Sequence, residues 1–322
     1  MSFRFVSRKI LGAFATLVFV ICFNFFLFRV VESNPVGNLF RGRNLAPEQQ
    51  LALERQFGLD GSKLEQFVRY LEQTVQLNFG RSYTSSEPVM SLIWERAWPT
   101  IALVGVSTLF SAVFGVMIGI VAAWRRRSKA DYGWTGFTMA TYSMPDFWLG
   151  MLLLVTFAVT LGWFPVGGIT DAGSDATGVS KLLDQAHHMF LPALTLTLAY
   201  LGEYALVMRA SLIETMREDY LILARAKGLR DVAVRNHHAV PNALLPVVTL
   251  IAINFGFVLS GAIAVETIYS WPGLGLLTYD ALRGPDLPLL QGLFLVFSAA
   301  VIIFNLVADL LYAYLDPRVR TE

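Results

Sequence analysis

Residues 219–246 read DYLILARAKGLRDVAVRNHHAVPNALLP and separate two long hydrophobic runs of the chain. The first part of this segment predicts a helix from Tyr220 to Lys227, because Asp219 can accept hydrogen bonds from the free N–H groups of a first turn. Gly228 can adopt the left-handed conformation that ends a helix. The segment is more apolar than a solvated connection requires, owing to Leu221, Ile222, Leu223, Leu229 and Val232. We therefore expect another surface to pack on it.

The composition is that of an integral membrane protein. Of 322 residues, 55% are hydrophobic and 15% are charged, and the mean hydropathy is +0.54, whereas soluble domains carry about 25% charged residues. The formal net charge of +1 argues against nucleic acid as a partner, because a phosphate-binding surface needs a clear basic excess. Cys22 is the single cysteine, so a disulfide within the chain is excluded.

Long apolar runs predict an all-α polytopic membrane protein with six transmembrane helices, since about 20 residues are needed to cross a bilayer. The six predicted spans are 11–31, 97–123, 135–162, 189–211, 243–266 and 289–314. The first span follows Arg4, Arg8 and Lys9, as the apolar part of a signal peptide would. It is too long for such a peptide and lacks a small-residue cleavage site, so we interpret it as an uncleaved span.

The basic residues of the short loops predict the orientation. The N-terminus, the connection at 125–129, the opening segment and the C-terminus carry basic residues on one side of the predicted membrane. The short loops on the opposite side carry only Lys181 and Arg283. By the positive-inside rule, both termini and the loop 212–242 are predicted to be cytoplasmic.

The predicted external side carries a large insertion, residues 32–96. One helix is predicted to begin at Pro47 and to stop at Gly58, and a second begins with the capping-box pair Ser62 and Glu65. Apolar residues recur at helical spacing in this second helix, at Leu64, Phe67, Val68, Leu71 and Val75. We expect a small helical cap on the membrane domain, either as a stability element or as a docking surface.

Two further loops face the same side. The loop 163–188 is rich in glycine, aspartate and serine and gives little structural signal. The loop 267–288 contains SWPGLG at 270–275, which is too apolar and too turn-prone for a solvated connection. Because non-helical backbone near a membrane is tolerated where protein buries it, this sequence predicts a loop that dips back toward the helix bundle.

No catalytic signature is present, since the chain lacks HExxH, GxSxG and Walker A sequences. Any nucleotide energy must therefore come from another chain. The histidines form two adjacent pairs, His187 with His188 and His237 with His238. Neighbours on a helix point about 100° apart, so neither pair is expected to give both ligands to one metal ion. We predict no metal site, with the first pair at the aqueous end of the fourth span and the second packed or hydrogen-bonded beside segment 219–246.

Glu203 is the costliest residue to place, because it lies inside a predicted span. It either belongs to a solute path, or contacts a cationic group, or is a protonated or hydrogen-bonded structural residue. Asp146, Glu266 and Asp309 lie near predicted span ends, where an interfacial position is expected.

Small residues recur at every fourth position of the fifth predicted span, at Ala252, Gly256, Ser260 and Ala264, and more briefly in the second at Gly115 and Gly119. Such stripes predict close helix packing, against this chain or another.

The opening segment resembles a known family. Residues 224–229 (ARAKGL) and 242–246 (NALLP) are similar to the cytoplasmic coupling loop of ABC importer permeases of the oligopeptide/dipeptide/nickel branch. Further blocks similar to that branch occur in the same order along nearly the whole chain: GRSY at 80–83, FWLG at 147–150, LGWFP at 161–165, SWPGLG at 270–275 and LDPR at 315–318. Several weak matches in order make a specific joint signal.

The resemblance implies a type I ABC importer permease fold, with the first span in 1–31, a helical insertion in 32–96 and a five-helix core in 97–322 that holds the coupling loop 212–242. The chain would form half of a translocation pathway and pair with a second, related permease. Two cytoplasmic ATPase subunits or domains would use ATP and Mg²⁺, while this chain binds no cofactor. An extracytoplasmic binding protein would deliver the solute, and the complex would lie in the plasma membrane of a bacterium or archaeon.

The resemblance also assigns roles to residues. The ATPase-coupling residues would be Asp219, Tyr220, Ala224, Arg225, Ala226, Lys227, Gly228 and Leu229. The candidates for the solute path or its gate are Glu203, Asn254, Trp271, Pro272 and Gly273.

Two other functions are open to an apolar chain of this kind. A secondary transporter should carry paired intramembrane charges or broken helices at matching positions of two halves, and no such halves are visible in the sequence. A membrane-embedded enzyme would need several reactive side chains at one depth, and no such set is visible either. The solute stays open among oligopeptides, dipeptides, nickel chelates, glutathione and oligosaccharides.

Overall fold

The computed structural model describes residues 3–31, 60–171, 173 and 177–315. This part of the chain is built from helices joined by short loops. In order they are α1 (Phe3–Phe25, extended by a π-helical turn Phe26–Val31), α2 (Lys63–Val75), α3 (Val89–Trp124), α4 (Lys129–Ser143), α5 (Asp146–Leu153, extended by a π-helical turn Leu154–Thr160), α6 (Gly178–Thr215), α7 (Asp219–Ala226), α8 (Asp231–Ala243), α9 (Leu245–Gly261), α10 (Ile263–Ile268), α11 (Leu274–Arg283) and α12 (Leu287–Leu315).

Four of the described helices, α1, α3, α6 and α12, are long and apolar enough to cross a membrane. Two bent pairs, α4 with the extended α5 and α8 with α9, pass the same test, so the described residues hold up to six spans. If each bent pair is one span, the number agrees with the six predicted from the sequence. The second span begins earlier than predicted, because α3 already starts at Val89 inside the region assigned to the insertion.

The third predicted span is not the single helix expected over 135–162. The chain bends by 101° between Ser143 and Asp146. Pro145 causes the break, because a proline lacks the N–H that would continue the helix and forces the preceding residue out of the helical region. Met144 accordingly has ψ 132°.

The fifth predicted span, 243–266, is also divided. Its helix α9 is preceded by α8 at an angle of 43° and ends at Gly261, after which α10 begins at Ile263. Pro246 lies in the first turn of α9, where a missing N–H costs no hydrogen bond. Glycine gives little support to a continuing helix, which fits the interruption at Gly261.

Helices α3 and α6 form the centre of the bundle. Gly115 and Gly119 of α3 allow this contact, because a Cβ on Gly115 would lie 2.6 Å from Tyr204 Cβ and one on Gly119 2.6 Å from the Ala205 carbonyl oxygen. A methyl group at either position would push the helices apart. The glycine pair in the second span therefore packs within this chain, which the sequence left open.

The small residues of the fifth span serve a second internal contact. A Cβ on Gly256 of α9 would lie 3.1 Å from Val301 Cα and 3.1 Å from Phe304 Cβ, both in α12. Ala252, one turn earlier, is buried. The stripe thus brings the fifth and last spans together.

Helix α2 is the described part of the insertion, while the helix predicted over 47–58 lies outside the described residues. The predicted capping box is confirmed, since Ser62 Oγ accepts from the Glu65 N–H at 3.3 Å and Glu65 Oε2 accepts from the Ser62 N–H at 2.8 Å. Tyr70 is buried, and its hydroxyl donates to the Ile21 carbonyl oxygen of α1 at 3.3 Å. Burial raises the pKa of Tyr70 to about 12.

The predicted apolar face of α2 is only partly covered. Phe67 and Leu71 pack around Phe25 and Tyr70, and the rings of Phe25 and Phe67 lie 5.0 Å apart. Within the described part of the chain, the other members of the face, Leu64, Val68 and Val75, are exposed.

Candidate functional site

Helix α7 forms as the sequence predicts at its end and differs at its start. Gly228 has φ +79°, the left-handed conformation expected of the residue that ends the helix. Its N–H donates to the Arg225 carbonyl oxygen at 2.9 Å, and the Leu229 N–H donates to the Ala224 carbonyl oxygen at 3.4 Å. These two bonds make a Schellman motif, which satisfies carbonyl groups that the helix leaves free.

The predicted N-cap of α7 is wrong by one residue. Glu218 occupies the cap position without a capping side-chain hydrogen bond, and Asp219 is the first helical residue. A carboxylate in the first turn still interacts favourably with the positive end of the helix dipole. Arg225 lies in the last turn, where its guanidinium is 5.9 Å from the centre of the Trp124 ring and 3.6 Å from Asp231 Oδ1.

One side of α7 is anchored in the protein. Leu221 and Ala224 are buried in a cluster that includes Met208 and Leu212 of α6 and side chains of α8. Burying a leucine side chain stabilises by about 2 kcal/mol, so this contact fixes the helix on the end of α6.

The other side of α7, together with Leu229 just after it and Val232 of α8, forms an exposed apolar surface, which we call the coupling patch. Its members are between 37% and 60% exposed: Tyr220, Ile222, Leu223, Leu229 and Val232. The Tyr220 hydroxyl accepts from Asn242 Nδ2 at 3.0 Å, so the patch is tied to α8. The remaining residues assigned to coupling, Ala226 and Lys227, are exposed at the end of the helix.

An ion pair beside this region escaped the sequence analysis. Asp131 of α4 is buried and accepts from Arg209 of α6 through both oxygens, at 2.8 Å from Nε and 3.0 Å from Nη2. It also accepts from the Arg127 N–H at 2.9 Å. Bidentate arginine–carboxylate pairs are the strong ones, so this pair locks the start of α4 to α6. The spacing of Ser128 and Asp131 indicates only the N-cap of α4, where the Asp131 N–H donates to Ser128 Oγ at 3.2 Å, and it gives no signal for Arg209.

Two of the candidates for the solute path come together. Asn254 Nδ2 of α9 donates to Glu203 Oε2 of α6 at 2.9 Å and to the Tyr204 hydroxyl at 3.3 Å. Asn254 is buried and Glu203 is half-buried. A carboxylate held by an amide at the junction of two spans can present negative charge to a solute, and it can equally support the packing of α6 on α9.

The other candidates, Trp271, Pro272 and Gly273, belong to the loop that was predicted to dip back. That prediction is confirmed, because Trp271 is buried and its Nε1 donates to the Pro99 carbonyl oxygen of α3 at 3.0 Å. A Cβ on Gly273 would collide with both Glu266 and Thr100. The loop is therefore held in the interior by these contacts. It lies far along the chain from Glu203, the other candidate for the solute path.

Glu266 organises this loop, and its predicted interfacial position is wrong. The side chain is fully buried. One oxygen accepts from Thr100 Oγ1 at 2.7 Å, and the other accepts from the N–H groups of Gly275 at 2.7 Å and Leu276 at 3.1 Å. The first turn of a helix leaves N–H groups free and carries positive partial charge, so a carboxylate at the start of α11 is stabilised without reaching water.

The two other acidic residues predicted near span ends differ in position. Asp146 lies at the bend of the third span, where its Oδ1 accepts from the Phe147 N–H at 2.7 Å. Asp309 is half-exposed and pairs with Lys9 at 2.8 Å, which joins α12 to the start of α1. Both side chains are partly exposed, and neither is buried as Glu266 is.

The paired histidines point apart. The rings of His187 and His188 are 6.4 Å apart at 82°, so they do not face one position. His187 Nε2 lies 3.0 Å from the Trp163 carbonyl oxygen. In the second pair, His237 is exposed, and the His238 carbonyl oxygen accepts from Asn242 Nδ2 at 2.8 Å.

Sequence comparison matches two family models that together cover nearly the whole chain. Residues 115–321 match the binding-protein-dependent transport system inner membrane component, and residues 2–104 match the N-terminal region of the corresponding membrane components.

Two relatives are similar over almost their full length. The chain is 35% identical to the di/tripeptide transport system permease protein DppB of Pseudomonas aeruginosa, with 99% of each chain covered. It is 38% identical to the glutathione transport system permease protein GsiC of Salmonella paratyphi A, with 98% of this chain and 99% of the relative covered.

A solved structure shares the fold. A chain of the MetNI methionine ABC transporter, in inward-facing conformations, superposes with a TM-score of 0.59 at 18% identity, covering 72% of this chain and 99% of that one. The type I importer permease fold expected from the sequence is therefore confirmed for the part of the chain that the superposition covers.

Proposed function

The chain belongs to the family of binding-protein-dependent transport system inner membrane components, and we propose that it forms half of the translocation pathway of an ATP-driven importer for peptides or related small solutes. As a family member it is a multi-pass protein of the inner membrane. The choice of peptides rests on relatives that are named as permeases for di/tripeptides and for glutathione. The full-length coverage of both relatives supports a common role for the entire chain.

The coupling patch is the observation that carries the proposal. A helix that is buried on one side, closed at its end and apolar on its exposed side is suited to press into a groove of another protein. Two ATPase subunits or domains, which use ATP and Mg²⁺, would engage this patch and its counterpart on a second, related permease. Because α7 is anchored on α6, motion of an ATPase is passed to the spans as a rigid-body displacement.

The remaining parts of the complex follow from the same assignment. An extracytoplasmic binding protein delivers solute to the face opposite the coupling patch, and both termini are cytoplasmic. The Glu203–Asn254 pair lies on the solute path, where the carboxylate attracts the cationic end of a peptide.

The decisive experiment replaces Leu223 with aspartate in the coupling patch. Leu223 is 57% exposed, so Leu223→Asp leaves the fold intact but places a charge in a contact that should be apolar. In the reconstituted complex, we expect the ATP hydrolysis stimulated by loaded binding protein to fall by about tenfold or more, as at a central contact of an interface.

The matched control is Leu64→Asp on α2, where the same residue type is 72% exposed. It should retain stimulated hydrolysis within about twofold, in line with the small effects of exposed positions. Full stimulation in Leu223→Asp would contradict the proposed coupling role.

A further inference from the structure

Three potential metal ligands meet where the loop after the third span returns to α6. Asp171 belongs to the loop, and Asp184 and His188 lie one turn apart on the first part of α6. One ligand atom from each side chain lies within 4.8 Å of the other two. Neither the coupling patch nor the Glu203–Asn254 pair uses these residues.

Two residues of the cluster, Asp184 and His188, are mostly buried, and the third, Asp171, is exposed. His188 Nδ1 lies 3.0 Å from Asp184 Oδ1, and His188 Nε2 lies 3.6 Å from Asp171 Oδ1. The side chain of His188 is 2% exposed and that of Asp184 13%, whereas that of Asp171 is 78% exposed. An ion can therefore approach along Asp171 and reach groups that are already withdrawn from water.

Two hydrogen-bond contacts of backbone groups fix the position of the loop residue Asp171 relative to Asp184 and His188 of α6. The Asp171 N–H donates to Asp184 Oδ2 at 3.1 Å, and the Asp184 carbonyl oxygen lies 3.0 Å from His188 Nδ1. Each aspartate thus has a fixed backbone position, and its carboxylate can close on a central ion through side-chain rotation. The two aspartates lie beside different nitrogens of the ring, so the ion binds through one nitrogen. The three ligand atoms lie within 4.8 Å of one another, and side-chain rotation must bring both carboxylates to bonds of about 2.1 Å.

We propose that Asp171, Asp184 and His188 bind one divalent transition-metal ion, such as Zn²⁺ or Ni²⁺. An imidazole nitrogen with two carboxylate oxygens favours these ions over Mg²⁺ and Ca²⁺, which prefer oxygen ligands alone. The ion neutralises two carboxylates that lie beside a buried ring, and water completes its coordination.

The bound ion fastens a loop that already has two anchors. His187 Nε2 meets the Trp163 carbonyl oxygen at 3.0 Å, and the Gly168 N–H donates to the Tyr269 carbonyl oxygen at 3.0 Å. The ion strengthens a third contact, which Asp171 already makes through its N–H with Asp184. The metal therefore stabilises the loop across the segment that leads into Trp271, on the face opposite the coupling patch.

Titration calorimetry with ZnCl₂ and NiCl₂, on the chelator-treated transport complex without nucleotide, tests this proposal. We expect one ion per copy of this chain. His188→Gln and Asp184→Asn should each lower the affinity at least tenfold, whereas His237→Gln, which removes an exposed ring of α8 outside the cluster, should keep the wild-type affinity.

The exposed ligand separates metal binding from misfolding. Asp171→Asn should leave thermal unfolding of the metal-free complex unchanged, yet weaken binding at least tenfold and abolish the rise in melting temperature that Zn²⁺ gives the wild type. If no ion binds stoichiometrically, or if Asp171→Asn binds as the wild type does, the proposal is overturned and His188 is an imidazole bridging two carboxylates.

Discussion

At the residue scale, the carboxylate of Glu266 collects three donors: the hydroxyl of Thr100 and the N–H groups of Gly275 and Leu276. A carboxylate suits this position because it has two oxygens that only accept. The same group leaves room for no side chain at Gly273. One buried residue thus connects α3, α10 and α11, and the SWPGLG sequence takes its conformation around it.

Removal of this carboxylate should be strongly destabilising. Glu266→Ala leaves buried donors unsatisfied and should lower the free energy of unfolding by about 3 kcal/mol. Glu266→Gln should cost about 1 kcal/mol, because its amide oxygen can still accept from the two N–H groups while its NH₂ faces Thr100.

The midpoint of unfolding in detergent measures this difference, with Glu72→Ala on the exposed side of α2 as the control. The control should shift stability by no more than about 0.5 kcal/mol. Equal losses in Glu266→Ala and Glu72→Ala would show that Glu266 does not anchor the loop.

A single substitution, Glu203→Gln, distinguishes a role of the negative charge of Glu203 in transport from a role of its hydrogen bond in packing. Glu203→Gln keeps an oxygen that can accept from Asn254, so assembly of the complex should be unchanged, but it removes the negative charge. If Glu203 faces the solute path, uptake of cationic peptides should fall about tenfold relative to neutral ones, the scale of a lost charge–charge contact near 4 Å in a partly polar site.

Glu214→Gln, at an exposed position near the end of the same helix, is the control for uptake. It should transport the whole panel of peptides as the wild type does. Unaltered uptake of cationic and neutral peptides by Glu203→Gln would assign Glu203 to the packing of α6 on α9.

At the scale of elements, α7 is short but rigid. Eight residues alone would not form a stable helix in water, and the additional stability comes from the Schellman motif at Gly228 and the burial of Leu221 and Ala224. The Asp131–Arg209 pair braces the neighbouring helices α4 and α6. The coupling patch is therefore fixed to α6, so a displacement of α7 should also displace α6.

At the scale of the whole molecule, burial differs among the spans. The most apolar window of α6 is 56% buried, while that of α1 is 11% and that of α12 is 17% buried. Helix α6 therefore lies at the centre of the described helix bundle, and α1 and α12 lie at the periphery of the bundle. These two are joined by the Lys9–Asp309 pair and by the bond from Asn24 Nδ2 to the Gln291 carbonyl oxygen at 3.1 Å.

The proposed orientation makes opposite ends of the molecule accessible from opposite sides. In a Cys22→Ala background, Leu182→Cys should react with a membrane-impermeant maleimide in intact spheroplasts. Arg126→Cys in the connection at 125–129, outside the coupling patch, should react only after permeabilisation. Both positions are exposed, so burial within the chain does not limit labelling, and the reverse pattern would invert the orientation.

The sequence alone determined the apolar helical class, the number of spans, the end of α7 at Gly228, the capping box of α2 and the family. These features depend on length, hydrophobicity and local backbone chemistry, which act between residues close together in the chain. The same local rules explain the break at Pro145, which the prediction of one span over 135–162 missed, while the size of the bend depends on what the two halves pack against.

Tertiary structure decided what each polar group meets. Thr100 and Glu266 are 166 residues apart in the chain, and Asp131 and Arg209 are 78 apart, so no local pattern predicts either pair. Glu266 looked interfacial because sequence hydrophobicity ranks a carboxylate as solvent-seeking. In the folded chain, helix N–H groups and a hydroxyl replace water around it, and these partners exist only once the helices are assembled.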